Sequence, residues 1–528
     1  MPSTRGGKGA TTIESAEARK SGSAEVEAFP SDFLRYRLPL SVRNERRAMN
    51  IPTRKTKIIA TLGPASASDA VIERLILAGV DVFRLNFSHG SNDMKREIIG
   101  TVRRLSAAAG RQIGILADLQ GPKIRTGRME GGALPLAKGD LLDITINDVL
   151  GKRGLISTVY QALPHDVRPG SRILMDDGLI ELKVQSISGT TVHCTVVEGG
   201  ILKDLKGINL PGVDVSSPSL TDKDRQDLEF CLEMGVDFIA LSFVRQSEDV
   251  DELKRLIFER GLDTPVVAKI EKPEALRNFA AILKSADAVM VARGDLGVEI
   301  AAEKVPLIQK KIIRACNKAG KPVITATQML ESMINHPRPT RAETSDVANA
   351  IMDGTDAVML SGETASGQFP VEAVRTMVKI ALDVERSELK RAAVRQENHN
   401  GNISEAVAEA ACNAAFTLKA KAVVVFTQSG STARLISKYR PPLPIIAFSS
   451  VAETRRRLAL SWGVHAWPIG SVGGTDQQIA VVEQMLLGAG LKKGDLVVIT
   501  IGVPVEARGS TNLMKVHKLG TGVFYEIF

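Results

Sequence analysis

Charged and hydroxyl side chains follow several short β-branched runs of this sequence, the positions where catalytic groups stand in proteins built on parallel strands. Because the runs end on cations, carboxylates and hydroxyls instead of apolar residues, they predict a site for an anionic substrate. The side chains are Arg84, Asn86, Ser88, His89, Asp118, Lys123, Arg125, Ser242, Lys269, Glu271, Asp295, Thr327 and Ser361.

Lys269 and Glu271 stand two positions apart in one of these runs, so their side chains share one face of a strand. Lys269 lies in the otherwise apolar stretch Val-Val-Ala-Lys-Ile. A buried charge in such surroundings is unfavourable unless it is paired with an opposite charge or serves in catalysis. A structural ion pair and a catalytic lysine both remain open at this point.

Glu271 and Asp295 follow two successive runs of the chain. Two carboxylates, completed by water and substrate oxygens, suit Mg2+, which seldom occupies a site made of protein ligands alone. Arg84, Lys269 and Arg125 supply positive charge for a phosphate group. The pattern therefore favours a metal-assisted reaction of a phosphorylated substrate.

Three of the candidates have plainer interpretations. His89 and Arg125 are equally consistent with a helix end or a salt bridge. Thr327 begins a loop after a β-branched run and is equally consistent with a helix N-cap.

The composition is that of a globular protein of several domains. The chain has 528 residues, of which 44% are hydrophobic and 24% charged, and its mean hydropathy is +0.02, which argues against a membrane protein. A net charge of +8 with only 4% aromatic residues argues against nucleic-acid binding. Four widely spaced cysteines without a CxxC pair argue against a disulfide framework and for a reducing, cytoplasmic location.

Residues 1–48 are rich in Gly, Ser, Ala and charge and lack apolar periodicity, so we expect a disordered extension. The extension has no hydrophobic run of a signal peptide, and its six acidic residues argue against a transit peptide. A targeting role and a true start at Met49 stay open.

From Thr56 onward, short β-branched runs alternate with amphipathic stretches, the pattern of βα units around a parallel sheet. Eight runs predict an α/β fold, a (β/α)8 barrel. The runs are Lys57–Thr61, Asp81–Leu85, Ile113–Ala117, Asp237–Leu241, Pro265–Ile270, Ala288–Ala292, Pro322–Thr325 and Ala357–Leu360.

Alternating segments broken by glycine interrupt this pattern after the third run, as β-hairpins do. We therefore predict a catalytic barrel over residues 49–123 and 221–386, with an inserted small β-barrel domain over 124–220 that closes the barrel mouth as a lid. Three further runs, Ala422–Thr427, Pro444–Phe448 and Leu496–Ile501, predict a C-terminal α/β domain over 387–528.

The segment Thr427-Gln-Ser-Gly-Ser-Thr-Ala-Arg434 lies between a predicted strand and a predicted helix. Backbone amides in that position bind anions. An ordinary helix N-cap loop is the alternative. The segment from Gly502 to Asn512 is expected to lie beside it.

The chain resembles the pyruvate kinase family over residues 53–528, including the insert in the third βα loop and the C-terminal α/β domain. Several specific motifs carry the resemblance. They are Lys-Thr-Lys-Ile-Ile-Ala-Thr-Leu-Gly-Pro-Ala at 55–65, Arg-Leu-Asn-Phe-Ser-His-Gly at 84–90, Val-Ala-Lys-Ile-Glu at 267–271, Ala-Arg-Gly-Asp-Leu-Gly-Val-Glu at 292–299 and Ala-Thr-Gln-Met-Leu-Glu-Ser-Met at 326–333.

The resemblance implies an enzyme that transfers the phosphoryl group of phosphoenolpyruvate to ADP, giving ATP and pyruvate, in the last step of glycolysis. It implies that Glu271 and Asp295 hold Mg2+ (or Mn2+) and that Lys269 stabilises charge on the transferring group and the enolate. It further implies that Arg84 binds the phosphoryl group and that Gly294, Asp295 and Thr327 bind the substrate carboxylate. Thr327 with Ser361 is implied to deliver a proton through water. The residues implied to bind the nucleotide are Asn86, His89, Arg125 and Lys206.

The K+ site of many relatives corresponds to Asn86, Ser88, Asp118 and Leu119 of this sequence, with a threonine where Leu119 stands and a glutamate where Lys123 stands. Here an ammonium replaces the acid. We therefore expect the tethered cation of Lys123 to make K+ unnecessary or nearly so. The backbone carbonyl of Leu119 leaves residual K+ binding open.

In the family, the loop that corresponds to Thr427, Ser429, Ser431 and Thr432 grips an effector phosphate. The resemblance thus implies a regulatory C-terminal domain, allosteric activation by a sugar phosphate or AMP, and a cytoplasmic homotetramer that binds neither nucleic acid nor membrane.

Two other functions fit parts of the pattern. A Mg2+-dependent aldolase or lyase on a (β/α)8 barrel would use the same groups to stabilise the enolate of a 2-oxo acid, but the lid and the C-terminal domain favour the kinase. A non-catalytic relative would have lost one of its key residues. All four of them, Lys269, Glu271, Asp295 and Thr327, are present.

Overall fold

The computed structural model of this chain describes residues 51–388, 402–470, 475–502 and 511–521. The disordered extension expected over residues 1–48 lies outside them. The strands of the described residues are β1 (Lys57–Leu62), β2 (Val82–Asn86), β3 (Gly114–Asp118), β4 (Ala133–Leu136), β5 (Leu141–Thr145), β6 (Leu155–Ser157), β7 (Arg172–Met175), β8 (Ile180–Ser188), β9 (Thr191–Glu198), β10 (Gly200–Lys203), β11 (Ile208–Asn209), β12 (Phe238–Leu241), β13 (Val266–Ile270), β14 (Ala288–Ala292), β15 (Val323–Ala326), β16 (Ala357–Leu360), β17 (Ala422–Phe426), β18 (Ile445–Ser449), β19 (Val464–Pro468), β20 (Leu496–Ile501) and β21 (Leu513–Lys518).

Helices connect most of these strands. They are α1 (Asp69–Ala78), α2 (Asn92–Ala108), α3 (Leu163–Asp166), α4 (Asp222–Glu233), α5 (Ser247–Glu259), α6 (Pro273–Arg277), α7 (Phe279–Ser285), α8 (Arg293–Glu299), α9 (Val305–Ala319), α10 (Arg341–Met352), α11 (Gly362–Ala365), α12 (Pro370–Glu388), α13 (Ile403–Thr417), α14 (Ser431–Lys438), α15 (Ala452–Arg457) and α16 (Thr475–Gly488).

Eight parallel strands close into a barrel in the order β1-β16-β15-β14-β13-β12-β3-β2. Each predicted run coincides with one of these strands to within one residue at either end, so the (β/α)8 barrel is confirmed. Strands β13 and β14 are buried along their whole length because helices cover the outside of the barrel. Burial on both faces explains their unbroken apolar sequences.

The insert forms its own β structure between β3 and α4. Its strands pair as a six-stranded sheet, β11-β7-β8-β9-β5-β6, and a two-stranded sheet, β10-β4. Leu142, Ile144, Leu182 and Val192 belong to a hydrophobic core within this insert. We refer to the insert as the lid, and its bounds at 124 and 220 stay a prediction.

Asp224 ties together the two connections between the lid and the barrel. Its side chain caps α4 by accepting the Thr221 N–H at 3.0 Å. Its other carboxylate oxygen accepts the N–H of Gly121, on the outgoing connection, at 3.1 Å. Gly121 has a φ of +67°, which favours glycine at this turn. The lid therefore joins the barrel at a fixed point beside the mouth.

The C-terminal sheet has the order β19-β18-β17-β20-β21, and its last strand is antiparallel to β20. The three predicted runs are present as β17, β18 and β20. Sequence reasoning missed β19, Val-His-Ala-Trp-Pro, which lacks a β-branched run. It also missed β21, whose Leu-Met-Lys-Val-His-Lys sequence has the alternation of a half-exposed edge strand.

Basic side chains fix the C-terminal domain against the barrel. Arg456 binds Asp237, which immediately precedes β12, at 2.8 Å. Arg440 binds Asp356, which immediately precedes β16, at 3.0 Å. The contacts therefore lie at the N-terminal ends of the barrel strands. The opposite end, where the lid is attached, is left for the site.

All four cysteines are free and buried. Burial raises the pKa of the Cys194 and Cys412 thiols to about 12 and raises the pKa of Cys231 and Cys316 as well. Within the described ranges, the structure contains no helix of the length and apolar character that a bilayer requires.

Candidate active site

Lys269 stands at the centre of the barrel mouth. Its Nζ atom lies 2.9 Å from Glu271 Oε1, 3.3 Å from Asp118 Oδ1 and 2.8 Å from Ser242 Oγ. Burial alone would favour the neutral amine, but the carboxylates of Asp118 and Glu271 outweigh it and raise the pKa of Lys269 above its usual value. Lys269 is therefore a permanent buried cation, paired but within reach of the mouth.

Asp118 joins two cations of the site. Its Oδ2 atom accepts the Nε–H of Arg84 at 2.7 Å, while Oδ1 faces Lys269. Burial would raise the pKa of Asp118, but Lys269 and Arg84 lower it below the usual range. Thr61 accepts a further hydrogen bond from Arg84 Nη1 at 3.1 Å. The guanidinium and the ammonium thus lie side by side on one carboxylate.

Glu271 and Asp295 follow the adjacent strands β13 and β14, as the sequence predicts. Glu271 is 1% exposed, and its Oε2 atom accepts the Phe243 N–H at 2.7 Å. Burial, and repulsion from the Asp295 carboxylate, raise the pKa of Glu271 against the opposing effect of Lys269. Two carboxylates that repel each other beside an open mouth fit a divalent cation.

No group of three or more metal-ligating side chains occurs in the part of the chain that the structure describes. The magnesium site expected from the sequence therefore stays a prediction. The donor set of Glu271 and Asp295 is all oxygen, which also suits a hard cation.

Thr327 follows β15, the strand paired with β14, and has an unusual backbone conformation, with φ of +65°. Its Oγ1 atom accepts the Gly294 N–H at 2.7 Å and donates to the Ala326 carbonyl at 2.7 Å. The following 3-10 helix has Leu330 as its N-cap, so Thr327 does not cap it. The hydroxyl instead points to the N-terminus of α8.

Glu363 connects the Thr327 loop with the loop that carries Ser361. One carboxylate oxygen accepts the Ser361 N–H at 2.7 Å and the other accepts the Leu330 N–H at 3.0 Å. Glu363 is 3% exposed, so these bonds are shielded from water. The two hydroxyl-bearing loops are thereby held next to each other.

The loop after β2 places Asn86, Ser88 and His89 at the mouth. The Asn86 side chain accepts the Ser88 N–H at 3.0 Å, which fixes a tight turn. Burial lowers the pKa of His89, and the cations of Arg125 and Lys123 lower it further. His89 is therefore neutral at pH 7 and stands in a strongly positive environment.

Arg125 and Lys206 come from the two strand-like segments that lead into and out of the lid. Arg125 donates to the Leu205 carbonyl at 3.0 Å, and Lys206 Nζ lies 2.7 Å from Asp176 Oδ1. Gly207 brings its backbone against the side chain of Lys123. Arg125 of the lid and Lys123 at its attachment thus bring two cations near His89, while Lys206 is paired with Asp176.

The Leu119 carbonyl, which the sequence left open as a K+ ligand, accepts the Ser242 hydroxyl at 2.7 Å. Ser242 also accepts from Lys269. Of the expected K+ positions, Asn86 lies opposite Asp118 in the pairing of β2 with β3, and Asp118 already balances two cations.

A cleft lies between the lid and the barrel and is lined among others by Lys123, Asn209, Phe243 and Asp295. Across its edge, Asn209 of the lid donates to Glu299 Oε1 at 2.9 Å.

Comparison with known proteins matches this architecture domain by domain. The family model for the pyruvate kinase barrel domain matches residues 53–374, and the model for the pyruvate kinase alpha/beta domain matches residues 405–517. The chain belongs to the pyruvate kinase family. The enzyme class expected from the motifs is thereby confirmed.

Relatives in this family span most of the chain. A pyruvate kinase of Geobacillus stearothermophilus is 50% identical over 470 residues, covering 88% of this chain and 80% of the relative. A pyruvate kinase of Mycobacterium tuberculosis strain H37Rv is 48% identical over 469 residues, covering 89% of this chain and 99% of the relative. The crystal structure of a pyruvate kinase from Cryptosporidium parvum superposes with a TM-score of 0.83 at 38% identity, covering 90% of this chain and 97% of the other.

In this pyruvate kinase family member, the expected effector residues Thr427 and Ser429 lie between β17 and α14, and Ser431 and Thr432 begin α14. Thr427 accepts the Gly430 N–H at 2.9 Å, and Ser429 donates to Ser431 at 3.1 Å. Thr432 lies 2.7 Å from Thr511, so the end of the segment expected beside this loop does lie there. Residues 503–510 of that segment are outside the described part.

Sequence reasoning gave no role to Ser242, Thr61 or Arg293. Ser242 was visible as a polar residue after a strand, but its bridge between Lys269 and Leu119 depends on tertiary contacts. Thr61 stands in a continuous β-branched run and gave no separate signal. Arg293 had a signal, because it precedes Gly294 and Asp295 in the same motif.

Proposed function

We propose that this pyruvate kinase family member transfers the phosphoryl group of phosphoenolpyruvate to ADP in a Mg2+-dependent step of glycolysis, giving ATP and pyruvate. One observation carries the proposal. Lys269 and Arg84 lie on the two oxygens of Asp118, and Lys269 also lies 2.9 Å from Glu271, so two cations and a candidate metal-binding carboxylate are linked in one cluster. Phosphoryl transfer depends mainly on such positioning and charge neutralisation.

Glu271 and Asp295 would hold Mg2+ or Mn2+. The bound metal would neutralise charge on the phosphoryl and carboxylate oxygens of the substrate. Burial, together with repulsion from the Asp295 carboxylate, raises the pKa of Glu271, and this supports the assignment because a divalent cation relieves that repulsion.

Lys269 and Arg84 would stabilise the negative charge that develops during transfer. Lys269 remains protonated throughout the physiological pH range because Asp118 and Glu271 raise its pKa. Both cations are prearranged on Asp118, so little reorganisation is needed when the substrate binds. Arg84 would bind the phosphoryl group itself.

The enolpyruvate formed by transfer must gain a proton at its methylene carbon. Thr327, with Ser361 on the adjoining loop, would deliver it through water, since a threonine hydroxyl alone is a poor acid. The substrate carboxylate would be bound by Thr327 and the amides of Gly294 and Asp295. Because the Gly294 N–H donates to Thr327 Oγ1, the carboxylate would share that bond on binding.

Asn86, His89, Arg125 and Lys206 would bind the nucleotide phosphates. Burial and then the cations of Arg125 and Lys123 lower the pKa of His89, and these cations support an anion at this place. A neutral His89 would donate one ring N–H to a phosphate oxygen without adding charge.

Lys123 would replace K+. Its ammonium belongs to the group of cations around His89, and the Leu119 carbonyl is engaged by Ser242. We therefore propose weak or absent K+ dependence. The positions Asn86, Ser88 and Asp118 would otherwise contribute to such a site.

We propose further that the loop with Thr427, Ser429, Ser431 and Thr432 binds the phosphate of a sugar phosphate or of AMP and activates the enzyme. Hydroxyls and backbone amides at the start of α14 support it. A cytoplasmic homotetramer is the proposed assembly. Exposed apolar side chains on helices α9, α10 and α13 support subunit contacts; they are Leu307, Met352, Ile403 and Phe416.

Pyruvate formation from phosphoenolpyruvate and ADP with Mg2+, measured in K+ and in Na+, tests the proposal. We expect equal turnover in both salts and a loss of about 10³-fold in Lys269→Met. Lys311→Met, at an exposed lysine of α9, is the matched control and should behave as the parent enzyme. Turnover in K+ only would remove the Lys123 assignment, and no turnover in either salt, with sugar phosphate or AMP added, would overturn the kinase itself.

A further inference from the structure

The turn after β15 is strained at the residue proposed to handle the proton. Thr327 and Gln328 have φ values of +65° and +54° in succession. Left-handed backbone is rare for residues other than glycine and rarer still for a β-branched one. Such a turn persists only when its surroundings hold it, and strain of this kind gathers at functional sites.

The side chain of Arg293 holds this turn. Its Nη2 atom donates to the Thr327 carbonyl at 2.8 Å and to the Gln328 carbonyl at 3.2 Å, and its Nε atom donates to the Ala326 carbonyl at 3.3 Å. One guanidinium thus binds three successive carbonyls. The side chain is 9% exposed, so water competes little for these bonds.

Arg293 is itself fixed from behind. Its Nη1 atom lies 2.8 Å from Asp346 Oδ1 and 2.7 Å from Asp346 Oδ2, on helix α10. The planar fork of a guanidinium suits a carboxylate on one side and carbonyls on the other, which a lysine cannot match. Asp346 therefore sets the direction in which Arg293 reaches the turn.

We propose that Arg293 is a positioning residue for proton transfer, holding Thr327 in the left-handed conformation that places its hydroxyl at the Gly294 amide. The inference deepens the proposed function and rests on it. Without the clamp, the turn relaxes toward negative φ, and the Thr327 hydroxyl leaves the 2.7 Å bond with Gly294. Arg293 donates to backbone carbonyls and acts on the hydroxyl through the backbone of the turn.

Steady-state kinetics of Arg293→Lys and Arg293→Met test this role. We expect kcat to fall by about 10²-fold, the usual effect of displacing a catalytic group by about 1 Å, with the KM for ADP unchanged. Arg314→Lys, at an exposed arginine of α9, is the matched control. Thr327→Val combined with Arg293→Lys should be no slower than Thr327→Val alone, because both changes remove the same step.

A second readout separates positioning from stability. Solvent deuterium entering the methyl group of pyruvate, measured with Mg2+ and ATP, reports loss and gain of the C3 proton without net phosphoryl transfer. We expect Arg293→Lys to slow this exchange as much as it slows kcat. Asp346→Asn, which removes only the support of Arg293, should show the same effect in weaker form and serves if the Arg293 variants do not fold.

The outcomes are distinguishable. A normal kcat and normal exchange in folded Arg293→Lys, or in Asp346→Asn if that variant alone folds, would overturn this inference and leave the proposed function intact. Additive losses in the double variant would overturn it too, since Arg293 would then act apart from Thr327. No pyruvate from the unsubstituted enzyme would overturn the proposed function and the inference with it.

Discussion

The Lys269 ammonium lies 2.9 Å from Oε1 of Glu271, two positions further along the chain at the end of β13. This ion pair neutralises the buried charge of Lys269, as the structural interpretation of the sequence requires. It also leaves Glu271 close to Asp295, which follows the neighbouring strand, and burial together with the Asp295 charge raises the pKa of Glu271. One ion pair therefore supports both the fold and the proposed metal site.

Glu271→Gln should weaken metal binding. The change removes one of two charged oxygen ligands, and we expect the Mg2+ concentration for half-maximal turnover to rise by about 10- to 100-fold. Titration of activity with Mg2+, and direct measurement of Mn2+ binding by electron paramagnetic resonance, would check it. Glu303→Gln, at an exposed residue, should leave both unchanged. An unaltered midpoint in Glu271→Gln would assign the metal elsewhere.

Lys123→Glu should create K+ dependence. The substitution replaces a fixed cation near His89 by a carboxylate, so a mobile cation is needed to restore the charge. We expect the ratio of turnover in K+ to turnover in Na+ to increase by about tenfold, equivalent to about 1.4 kcal/mol. Lys138→Glu, on the exposed surface of the lid, is the control. Equal turnover of Lys123→Glu in both salts would contradict the tethered-cation argument.

His465→Leu should make the free energy of unfolding less dependent on pH in the acid range. Burial, followed by the nearby Lys57 and Arg54, lowers the pKa of His465 well below its usual value, so the folded protein keeps it neutral. In the unfolded chain the His465 imidazole takes up a proton near pH 6.5. The contribution of the neutral, buried His465 to the free energy of unfolding is therefore complete above pH 6.5 and is lost as pH falls, at up to about 1.4 kcal/mol per pH unit.

Urea unfolding at pH 7.5 and 5.5 would measure this effect. The difference between the two midpoints should be smaller in His465→Leu than in the parent protein. His165→Leu, at a histidine whose side chain is 87% exposed, should keep the parent difference. An identical difference in all three proteins would show that other groups set the acid limit.

Ser431→Asp should reduce activation by a phosphorylated effector. The new carboxylate would stand at the start of α14, where the proposed effector phosphate binds, and like charges repel. The rate at low phosphoenolpyruvate, with and without sugar phosphate or AMP, gives an activation ratio that should fall toward one. Ser450→Asp, at an exposed serine after β18, should keep the ratio of the parent. Full activation of Ser431→Asp would place the effector at another site.

The barrel was predictable from sequence because its strands are buried on both faces and so read as unbroken β-branched or apolar runs, as in Val-Val-Ala-Lys-Ile. The position of Lys269 in such a run was a signal that needed no structure. Glu271 and Asp295 followed from the order of the parallel strands. Strands β19 and β21 were missed because one lies in a mixed sequence and the other lies at an exposed edge.

The left-handed φ of Thr327 had no signal in the sequence, since threonine is disfavoured there and nothing nearby marks the turn. Its support by Arg293 joins two strand ends that are more than thirty residues apart in the chain. The bridge of Ser242 between Lys269 and Leu119 likewise depends on three strands meeting. Such contacts follow from closure of the barrel and not from local patterns.

The buried thiols have a practical consequence for following the lid. Burial shields the four native thiols and raises their pKa values, so maleimide dyes should not react with them at neutral pH. They are Cys194, Cys231, Cys316 and Cys412. A pair of cysteines introduced at exposed positions, one on the lid and one on the barrel, would then carry fluorophores without removal of any native residue. Opening and closing of the cleft could be watched by energy transfer in an otherwise unaltered chain.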